Sequence, residues 1–287
     1  MILYAISDIH LDYAENRDAF ESLSEYPDDW LILAGDIANT ESHLRFALDI
    51  ACRRFAGVIW VPGNHDLWIR SDSGMSGSVE KYESMVELCR EFGVLTPEDP
   101  YVSWGEGEAK HILAPLFLLY DYSFRPDDVS EEEAIAWAME EGILCRDEAL
   151  LKPAPYSSKQ AWCRARIEYS KKRLSEVSGP SPIVLINHFP LRQDLIRLRK
   201  IPRFSIWCGT KETESWHTEF PVSVVVTGHL HMRATDYRDG IRFEEVSLGY
   251  PRQRNQEIEF KDFLREILPG PKEKFYLNEG PFWRWEG

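Results

Sequence analysis

Short apolar runs of strand length recur along the chain, and each is followed by polar side chains of the kinds that bind metal ions. Most of the runs are rich in β-branched residues, so we expect them to form buried strands. They lie at residues 3–6, 31–34, 58–61, 183–186 and 222–226. Because ligands bind beyond the carboxyl ends of the strands in open α/β sheets, side chains that are far apart in sequence can meet at one edge.

Helical periodicity separates several of these runs. Between the second run and the third, apolar residues recur at spacings of three and four from Leu44 to Phe55, which predicts a crossover helix. A second helix is predicted from about residue 79 to residue 92, with Gly93 as its left-handed C-cap. Alternating strands and helices are typical of an α/β protein whose neighbouring strands pair in parallel.

The middle of the chain departs from this alternation. Residues 112–114 and 116–120 have the pattern of further strands around Pro115, and Ser130 with Glu133 has the pattern of a helix capping box. Another helix is predicted from about residue 158 to residue 177. We expect residues 122–180 to form a helical insertion near the site, within a single domain of residues 1–287. A solvated helical layer is the alternative.

Composition narrows the class of protein. The chain has 287 residues, of which 44% are hydrophobic and 28% charged. It has no apolar stretch of the ~20 residues that a membrane-spanning helix needs, and no basic segment precedes the first strand, so we expect a soluble, cytoplasmic protein. Five cysteines without a CxxC pair favour reduced thiols over disulfides or a thiolate zinc site. The net charge of −15 disfavours binding of extended nucleic acid.

The polar side chains at the ends of the apolar runs form a candidate metal-binding set. Carboxylates, imidazoles and an amide oxygen make a mixed nitrogen and oxygen donor set, which suits manganese, iron or zinc better than copper(I) or an iron–sulfur cluster. Adjacent glycines allow the backbone to approach the donors closely. Each motif alone occurs by chance in ordinary loops, so the prediction depends on all of them together. The set is Asp8, His10, Asp36, Asn64, His65, His188, His229 and His231.

These blocks resemble the pattern D-x-H, G-D, G-N-H-[DE], H, G-H-x-H of the calcineurin-like metallophosphoesterases. They appear in the family order as Asp8-Ile9-His10, Gly35-Asp36, Gly63-Asn64-His65-Asp66, Asn187-His188 and Gly228-His229-Leu230-His231. The resemblance implies an α/β fold in which a β-sandwich of mixed sheets is flanked by helices, in the order αββα. It also implies two divalent metal ions. One would be held by Asp8, His10, Asp36 and His231, and the other by Asp36, Asn64, His188 and His229.

The resemblance implies a reaction as well. A hydroxide that bridges the two metal ions would attack phosphorus in line, with Asp36 as the bridging carboxylate. His65 would contact the phosphate and assist departure of the leaving oxygen instead of binding metal. The neighbouring Asp66 would either face His65 or support the ligands from behind. The Gly35-Asp36 block lacks the further Asp and Arg of the protein serine/threonine phosphatases, which disfavours a dedicated phosphoprotein phosphatase. A bacterial branch of the superfamily is suggested by three segments: Asp121-Tyr122-Ser123-Phe124, Trp207-Cys208-Gly209-Thr210 and Gly228-His229-Leu230-His231.

Substrate contacts are predicted at two further places. Asp121 and Tyr122 end the predicted strand at residues 116–120, at a possible rim position. Residues 191–217 form a basic connection in an otherwise acidic chain, and arginine grips phosphate through its planar guanidinium fork. The candidate arginines of this connection are Arg192, Arg197, Arg199 and Arg203.

Several alternatives stay open at this point. We expect a small phosphoester substrate in preference to nucleic acid, and no membrane partner, but monoesters and diesters are not distinguished. Basic residues at 164–173 and 192–203 keep open a nuclease that acts on single strands. A binding scaffold of the same fold without catalysis is the other alternative. The oligomeric state is not predicted.

Overall fold

The computed structural model describes residues 1–70, 74–107, 110–177, 179, 181–270 and 280–284. Within this part of the chain, two β-sheets pack face to face and helices cover their outer faces. The strands are β1 (Leu3–Ile6), β2 (Tyr26–Ala34), β3 (Phe55–Val61), β4 (Val102–Trp104), β5 (His111–Pro115), β6 (Ile183–Ile186), β7 (Val222–Thr227), β8 (Ala234–Arg238), β9 (Ile241–Glu245), β10 (Arg265–Leu268) and β11 (Phe282–Trp283). The smaller sheet has the order β10-β1-β2-β3, and the larger sheet has the order β11-β8-β9-β7-β6-β5-β4. This is the αββα sandwich that the family resemblance implied.

The helices lie between and outside these strands. Short 3-10 helices occupy the connection after β6 and the segment before β10. The α-helices are α1 (Ala14–Glu21), α2 (Glu41–Arg54), α3 (Asn64–Leu67), α4 (Ser78–Glu91), α5 (Ala134–Met139), α6 (Asp147–Leu150), α7 (Lys159–Ser175) and α8 (Trp216–Glu219). None of the helices in the described ranges is long and apolar enough to cross a membrane.

Side chains alternate between two layers along the central strands. Leu3 and Ala5 of β1 belong to the apolar layer between the sheets, together with Val184 and Ile186 of β6. Ile6 belongs to the other apolar cluster, which includes the inner faces of the helices. Successive strand residues point to opposite faces, and both faces are covered here. The strands therefore appear in the sequence as continuous apolar runs.

Most of the predicted elements are confirmed. All five apolar runs form strands, and the pairs β1–β2, β2–β3 and β6–β7 are parallel. The crossover helix is α2, although Phe55 begins β3 instead of ending the helix. Gly93 follows α4 with a φ of +70°, as the C-cap prediction required.

The predicted strand at residues 116–120 is wrong. After β5 the chain leaves the sheet: the Leu116 amide still bonds to Ile186 O at 2.7 Å, but the Leu118 amide bonds to the Asn187 side chain at 3.0 Å. Leu118 is 1% exposed and Phe117 is fully buried. The run is therefore apolar because it is covered by neighbouring elements, and not because it belongs to a ladder.

The middle segment contains the expected helices with shifted ends. The Glu133 amide donates to Ser130 Oγ at 3.3 Å and the Ser130 amide donates to the Glu133 carboxylate at 3.4 Å, so the capping box forms, but α5 begins only at Ala134. Ser158 caps α7 by accepting from the Ala161 amide at 3.1 Å, and that helix ends two residues before the predicted end. Residues 178 and 180 of the predicted insertion lie outside the described residues.

Candidate active site

The predicted ligands lie on the loops that follow β1, β2, β3, β6 and β7, and many of them have unusual backbone conformations. The φ angles are positive at Asp8 (52°), His10 (48°), Asp36 (54°), His229 (72°) and His231 (52°). Non-glycine residues rarely adopt this region, at a cost on the order of 1–3 kcal/mol each. In the described ranges Tyr122 and Asp239 are the only other non-glycine examples. Backbone strain is thus concentrated where the predicted ligands meet.

Glycines next to the ligands make this close approach possible. A Cβ atom on Gly63 would overlap the Asp36 carboxylate, and one on Gly228 would overlap the side chains of Ser7 and Asp8. Only the absence of a side chain lets these loops pass so near the carboxylates. The glycines of the motifs are therefore required by geometry as well as by turn formation.

The two carboxylate oxygens of Asp8 have different surroundings: one accepts hydrogen bonds, and the other faces two imidazoles. Its Oδ2 accepts hydrogen bonds from Ser7 Oγ (2.6 Å), Ser247 Oγ (2.8 Å) and the His229 amide (3.0 Å). Its Oδ1 lies 2.9 Å from His231 Nε2 and 3.9 Å from His10 Nε2. Burial alone would raise the pKa of Asp8, but the charges of nearby histidines, His231 first, lower it well below its ordinary value. The carboxylate therefore presents one oriented, ionised oxygen to the site.

Asp36 lies between the two halves of the predicted ligand set. Its Oδ1 accepts from the His65 amide at 2.8 Å and lies 3.6 Å from His188 Nε2. Burial raises the pKa of Asp36 well above its ordinary value, and the nearby charges of Asp8 and Asp66 raise it further. Cations next to Asp36 would offset this repulsion and restore the ionised form.

Three side-chain atoms that can bind a metal ion are buried without a hydrogen-bond partner among the described residues. They are Asn64 Oδ1, His188 Nε2 and His229 Nε2. The remaining polar atoms of these side chains are engaged: His188 Nδ1 donates to Ala34 O at 2.9 Å, Asn64 Nδ2 donates to Asp147 at 2.9 Å, and His229 forms a hydrogen bond with the Trp207 backbone. A buried unpaired polar group costs about 1–3 kcal/mol. Three such atoms, on side chains that are fixed by hydrogen bonds at their other polar atoms, fit a metal ion well.

Groups of possible ligand atoms that lie within 4.8 Å of one another confirm that the motifs converge. One group is Asp8, His10 and His231, which is three of the four members of the first implied metal set. A second joins Asp8, Asp36 and His188, and a third joins His10, Asp36 and His65. Burial lowers the pKa of His10 to about 3, so its imidazole is neutral and able to bind a metal.

His65 lies at the edge of this cluster with its ring against Trp68. The two ring centroids are 3.6 Å apart, and His65 Nε2 lies 3.9 Å from Asp36 Oδ2. Burial lowers the pKa of His65 well below its ordinary value, and the neighbouring His10 lowers it further. The ring thus faces the centre of the cluster from one side.

Asp66 supports the loops and does not lie in the cleft. Its carboxylate accepts hydrogen bonds from the backbone amides of Asp36 (2.8 Å), Ala38 (2.9 Å) and Gly63 (2.8 Å). It also accepts from the Ile37 amide at 3.1 Å. Of the two positions that the sequence left open for Asp66, this one lies behind the ligands, where it ties the loop after β2 to the loop after β3.

Several residues that hold the site were not predicted. Gln253 Oε1 lies 2.7 Å from His231 Nδ1, and the ring of Tyr250 stacks on His10 with 4.5 Å between centroids. Asp147 is fully buried and accepts from Asn64 and Trp68, and burial raises the pKa of its carboxyl. None of these residues belongs to a recognisable motif, so no local sequence signal could have identified them.

A cleft of about 380 Å³ opens above the cluster. Its floor includes Asp36, Asn64 and His65. One wall is aromatic, with Trp68 and Tyr250. The rest of the lining is mainly apolar, with two exposed arginines that we assign to the mouth. The apolar residues are Leu144, Leu198, Ile201, Phe204 and Leu230, and the arginines are Arg146 and Arg252.

Asp121 and Tyr122, the predicted substrate residues, form hydrogen bonds within the protein. Asp121 accepts from Thr210 Oγ1 at 2.8 Å and from the Ser123 amide at 3.0 Å. Tyr122 is 4% exposed, and its hydroxyl donates to Glu148 at 2.8 Å. Neither lines the cleft as the described residues form it. Both residues brace the middle segment against its surroundings.

Three of the four predicted arginines are also paired away from the cleft. Arg192 contacts Asp194 at 2.9 Å, and Arg203 contacts Glu140 at 2.7 Å and Glu141 at 3.1 Å. Arg197 forms a two-bond pair with Asp236, at 3.0 and 2.7 Å. Arg199 is exposed. The basic connection therefore folds largely onto acidic neighbours, and the cations at the mouth, Arg146 and Arg252, come from other segments.

Comparisons with known proteins agree with this geometry. A sequence model of the calcineurin-like phosphoesterases matches residues 1–233. The acyl-carrier-protein phosphodiesterase PptH of Mycobacterium tuberculosis is 44% identical over 281 residues, which cover 96% of this chain and 86% of the relative. A crystal structure of the phosphopantetheinyl hydrolase PptH from that organism matches with a TM-score of 0.89, covering 95% of this chain and 98% of that chain.

A more distant relative is the uncharacterized protein L509 of Acanthamoeba polyphaga mimivirus, which is 24% identical over 279 residues. That match covers 88% of this chain and 93% of the viral protein. The family match extends over most of the chain, and it confirms the resemblance seen in the five sequence blocks. The chain belongs to the calcineurin-like phosphoesterases and is a metallophosphoesterase, a hydrolase of phosphoester bonds.

Proposed function

We propose that the chain is a dinuclear metal-dependent phosphodiesterase that removes the phosphopantetheinyl group from an acyl carrier protein. The observation that carries this choice of substrate is the 44% identity to the acyl-carrier-protein phosphodiesterase PptH over 96% of this chain. The substrate is then a phosphodiester with a small linear group on one side and a protein on the other. This replaces the free small phosphoester expected from the sequence.

Seven side chains hold the two divalent ions in this proposal. Asp8, His10 and His231 would hold one ion, Asn64, His188 and His229 would hold the other, and Asp36 would contribute to both. The second set is supported by its three buried donor atoms without partners, and the first by the mutual proximity of its ligand atoms. When bound, two such ions lower the pKa of a shared water and offset charge on phosphoryl oxygens. Manganese, iron and zinc suit these donors.

His65 supplies the proton or hydrogen bond that the leaving oxygen needs. Both esters of a phosphopantetheinyl serine have alkyl oxygens, which are poor leaving groups unless they are protonated. The ring of His65 borders the cleft floor beside Asp36 and is held on its other face by Trp68. His65 is thus the candidate donor of a proton or hydrogen bond to the leaving oxygen, and Trp68 limits how far its ring can turn.

The shape of the cleft is compatible with a thin, partly apolar arm attached to a larger partner. The apolar side formed by Leu198, Ile201 and Phe204 would contact the arm. Leu144 is 53% exposed and Ile201 is 41% exposed, and such large apolar side chains on a protein surface often mark contact sites. Arg146 and Arg252 would face the phosphoryl group or acidic groups of the carrier protein near its entry.

The middle segment contributes to this site in the proposal. Residues 122–180 act as a helical insertion beside the cleft within a single domain, because Leu144, Cys145 and Arg146 line its mouth. All five cysteines are free. Free thiols are typical of a reducing compartment, so we place the enzyme in the cytoplasm.

The alternatives have less support. The basic helix α7 that favoured a nuclease uses Arg166 against Glu98 at 2.7 Å, and its Arg173 stacks on Tyr101 with 4.2 Å to the ring centroid. These two arginines therefore make contacts within the protein. A non-catalytic scaffold would be expected to lack ligands, whereas every residue of the seven-ligand set is present and converges.

The direct test is hydrolysis of a carrier protein that bears phosphopantetheine. Purified enzyme, reconstituted with Mn²⁺, is incubated with the modified carrier, and the carrier mass is followed by intact-protein mass spectrometry. We expect loss of the phosphopantetheinyl group and return of the unmodified serine. Bis(nitrophenyl) phosphate and nitrophenyl phosphate are assayed in parallel, with Asp36→Asn as the inactive control.

The outcomes separate the parts of the proposal. Cleavage of bis(nitrophenyl) phosphate without cleavage of the modified carrier protein would refute the proposed substrate. It would still support phosphodiesterase activity. Hydrolysis of the monoester alone would exclude a diesterase. Full activity after complete removal of metal would refute the dinuclear centre.

A further inference from the structure

Asp147 makes an unusual set of contacts for a residue outside every sequence motif. It is the first residue of α6 and is fully buried. Its Oδ1 accepts from Asn64 Nδ2 at 2.9 Å and from Trp68 Nε1 at 2.6 Å, and its Oδ2 accepts from the Tyr120 hydroxyl at 3.0 Å. The carboxylate thus joins the middle segment to α3 and to the residue that follows α3.

The contact with Asn64 decides which end of an amide faces the cluster. An ionised carboxylate only accepts hydrogen bonds, so it selects the NH₂ end of the amide and turns Oδ1 away from itself. The Oδ1 atom is then left buried without a hydrogen-bond partner in the described ranges, as His188 Nε2 and His229 Nε2 are. An amide turned the other way would present N–H donors, which cannot bind a metal ion.

The contact with Trp68 connects Asp147 to His65. The indole N–H is held by Asp147, and the indole ring lies 3.6 Å from the ring of His65, measured between centroids. The guanidinium of Arg146, the residue before Asp147, lies 5.4 Å from the Trp68 ring centroid. The same buried carboxylate is therefore connected to a metal-ligand amide, to the wall behind His65 and to the mouth of the cleft.

We infer that Asp147 is a positioning residue that orients the Asn64 amide for metal binding and holds Trp68 against His65. This inference rests on the metal centre proposed above. Residues that orient metal ligands from behind typically change metal affinity or activity by about 10- to 100-fold when they are removed. A residue that only stabilises the fold would change the melting temperature and leave metal affinity as it was.

Tyr120→Phe is the matched control, because it removes one hydrogen bond to the other oxygen of the same carboxylate. Metal-free proteins are titrated with Mn²⁺ alone by isothermal titration calorimetry, and their melting temperatures are measured separately. We expect Asp147→Ala to raise the Kd of one of two Mn²⁺ sites by about 10- to 100-fold. Tyr120→Phe should lower the melting temperature and leave both Kd values within about twofold.

A double-mutant cycle with Asn64→Ala tests whether the effect passes through the amide. In the Asn64→Ala background, Asp147→Ala should cause no further loss of Mn²⁺ affinity. Asp147→Asn should rescue affinity in the wild-type background, since its amide oxygen can still accept from Asn64 and Trp68. If Asp147→Ala does not fold, Asp147→Ser replaces it, because its hydroxyl is too short to reach both donors.

Three results would overturn the inference. They are unchanged Mn²⁺ affinity in folded Asp147→Ala or Asp147→Ser, a full additive loss in the Asn64→Ala background, and equal loss in Asp147→Asn and Asp147→Ala, which would indicate charge alone. Native protein that binds no Mn²⁺ would instead refute the proposed metal centre, so the two failures are distinguishable.

Discussion

The floor and the mouth of the cleft are built in different ways. On the floor, Asp36 and Asn64 are buried, and their side chains are held by hydrogen bonds to the His65 amide and to Asp147. At the mouth, Leu144 and Ile201 are 53% and 41% exposed. Strained left-handed residues occur among the ligands of the floor. The residues of the mouth lie on loops and short helices.

This difference separates reaction chemistry from substrate choice. The ligands must be placed to within a fraction of an ångström, so the fold maintains strained turns and buried carboxylates there. Contacts with the substrate body tolerate more variation, because each contributes a small part of the binding free energy. Loss of a proposed metal ligand on the floor should therefore abolish the reaction on every substrate, whereas changes at the mouth should affect one substrate more than another.

The largest effect is expected for Asp36→Asn on the floor. If Asp36 binds both proposed ions, removing its charge should lose several kcal/mol of charge stabilisation, which corresponds to a fall in kcat/KM on the order of 10³-fold or more. Metal content is measured by mass spectrometry of the purified protein and should fall. Asp127→Asn, whose native side chain is 94% exposed, is the matched control. Full activity with native metal content would contradict the role of Asp36.

His65→Ala should separate the leaving-group step from metal binding. We expect a loss on the order of 10²- to 10⁴-fold on alkyl phosphodiesters, the usual range for general acid catalysis, and a clearly smaller loss on nitrophenyl esters. Nitrophenolate leaves largely without protonation, so it needs the histidine less. Both metals should be retained. Equal losses on the two substrate types would indicate phosphate binding, and a lost metal would mean that His65 is a ligand.

Arg146→Ala and Arg252→Ala probe the mouth. Each should raise KM for the modified carrier protein by about 2- to 10-fold, more at low salt than at high salt, because exposed charges act mainly on encounter. Their kcat values on bis(nitrophenyl) phosphate should stay near wild type. Arg53→Ala, in a residue that is 68% exposed on α2, is the control. An equal effect on both substrates would place these arginines at the phosphoryl group.

The smallest effects are expected for Leu144→Ala and Ile201→Ala. Each removes part of a half-exposed apolar contact, so a loss of about 1 kcal/mol, or about fivefold in KM for the modified carrier, is the upper range. Thermal stability should change little because neither side chain is buried in the core. If both variants bind the carrier protein as wild type does, the apolar side of the mouth does not contact the substrate.

Local sequence patterns were sufficient to predict which residues meet in the candidate site. They were insufficient to predict the residues that hold those side chains in place. The ligand blocks follow strand ends that are visible as apolar runs, so their convergence could be predicted from the geometry of a sheet. Ser247 bonds to Asp8 across 239 positions and Asp147 bonds to Asn64 across 83. Such pairs leave no periodicity in the sequence, because a single serine or aspartate has the same local appearance whether it is exposed or buried.

For the same physical reason, local charge pattern could not show which arginines are already paired. The excess of arginine in residues 191–217 predicted contacts with substrate, but Arg197 and Arg203 lie against Asp236 and Glu140. Both partners are far away in sequence, so the local charge excess could not show that it is neutralised. Arg146 is a single cation beside an acidic pair, and only its position over Trp68 and at the mouth distinguishes it.

The sequence by itself determined the five strands of the apolar runs, the order of the predicted ligand blocks and the reaction class, because these depend on side-chain periodicity and on residues adjacent to strand ends. Tertiary structure alone decided where the chain leaves the sheet after Pro115, which arginines face the cleft and which carboxylate orients Asn64. These features depend on pairings between distant segments. Their free energy comes from burial and hydrogen bonding that exist only once the two sheets and the middle segment have packed together.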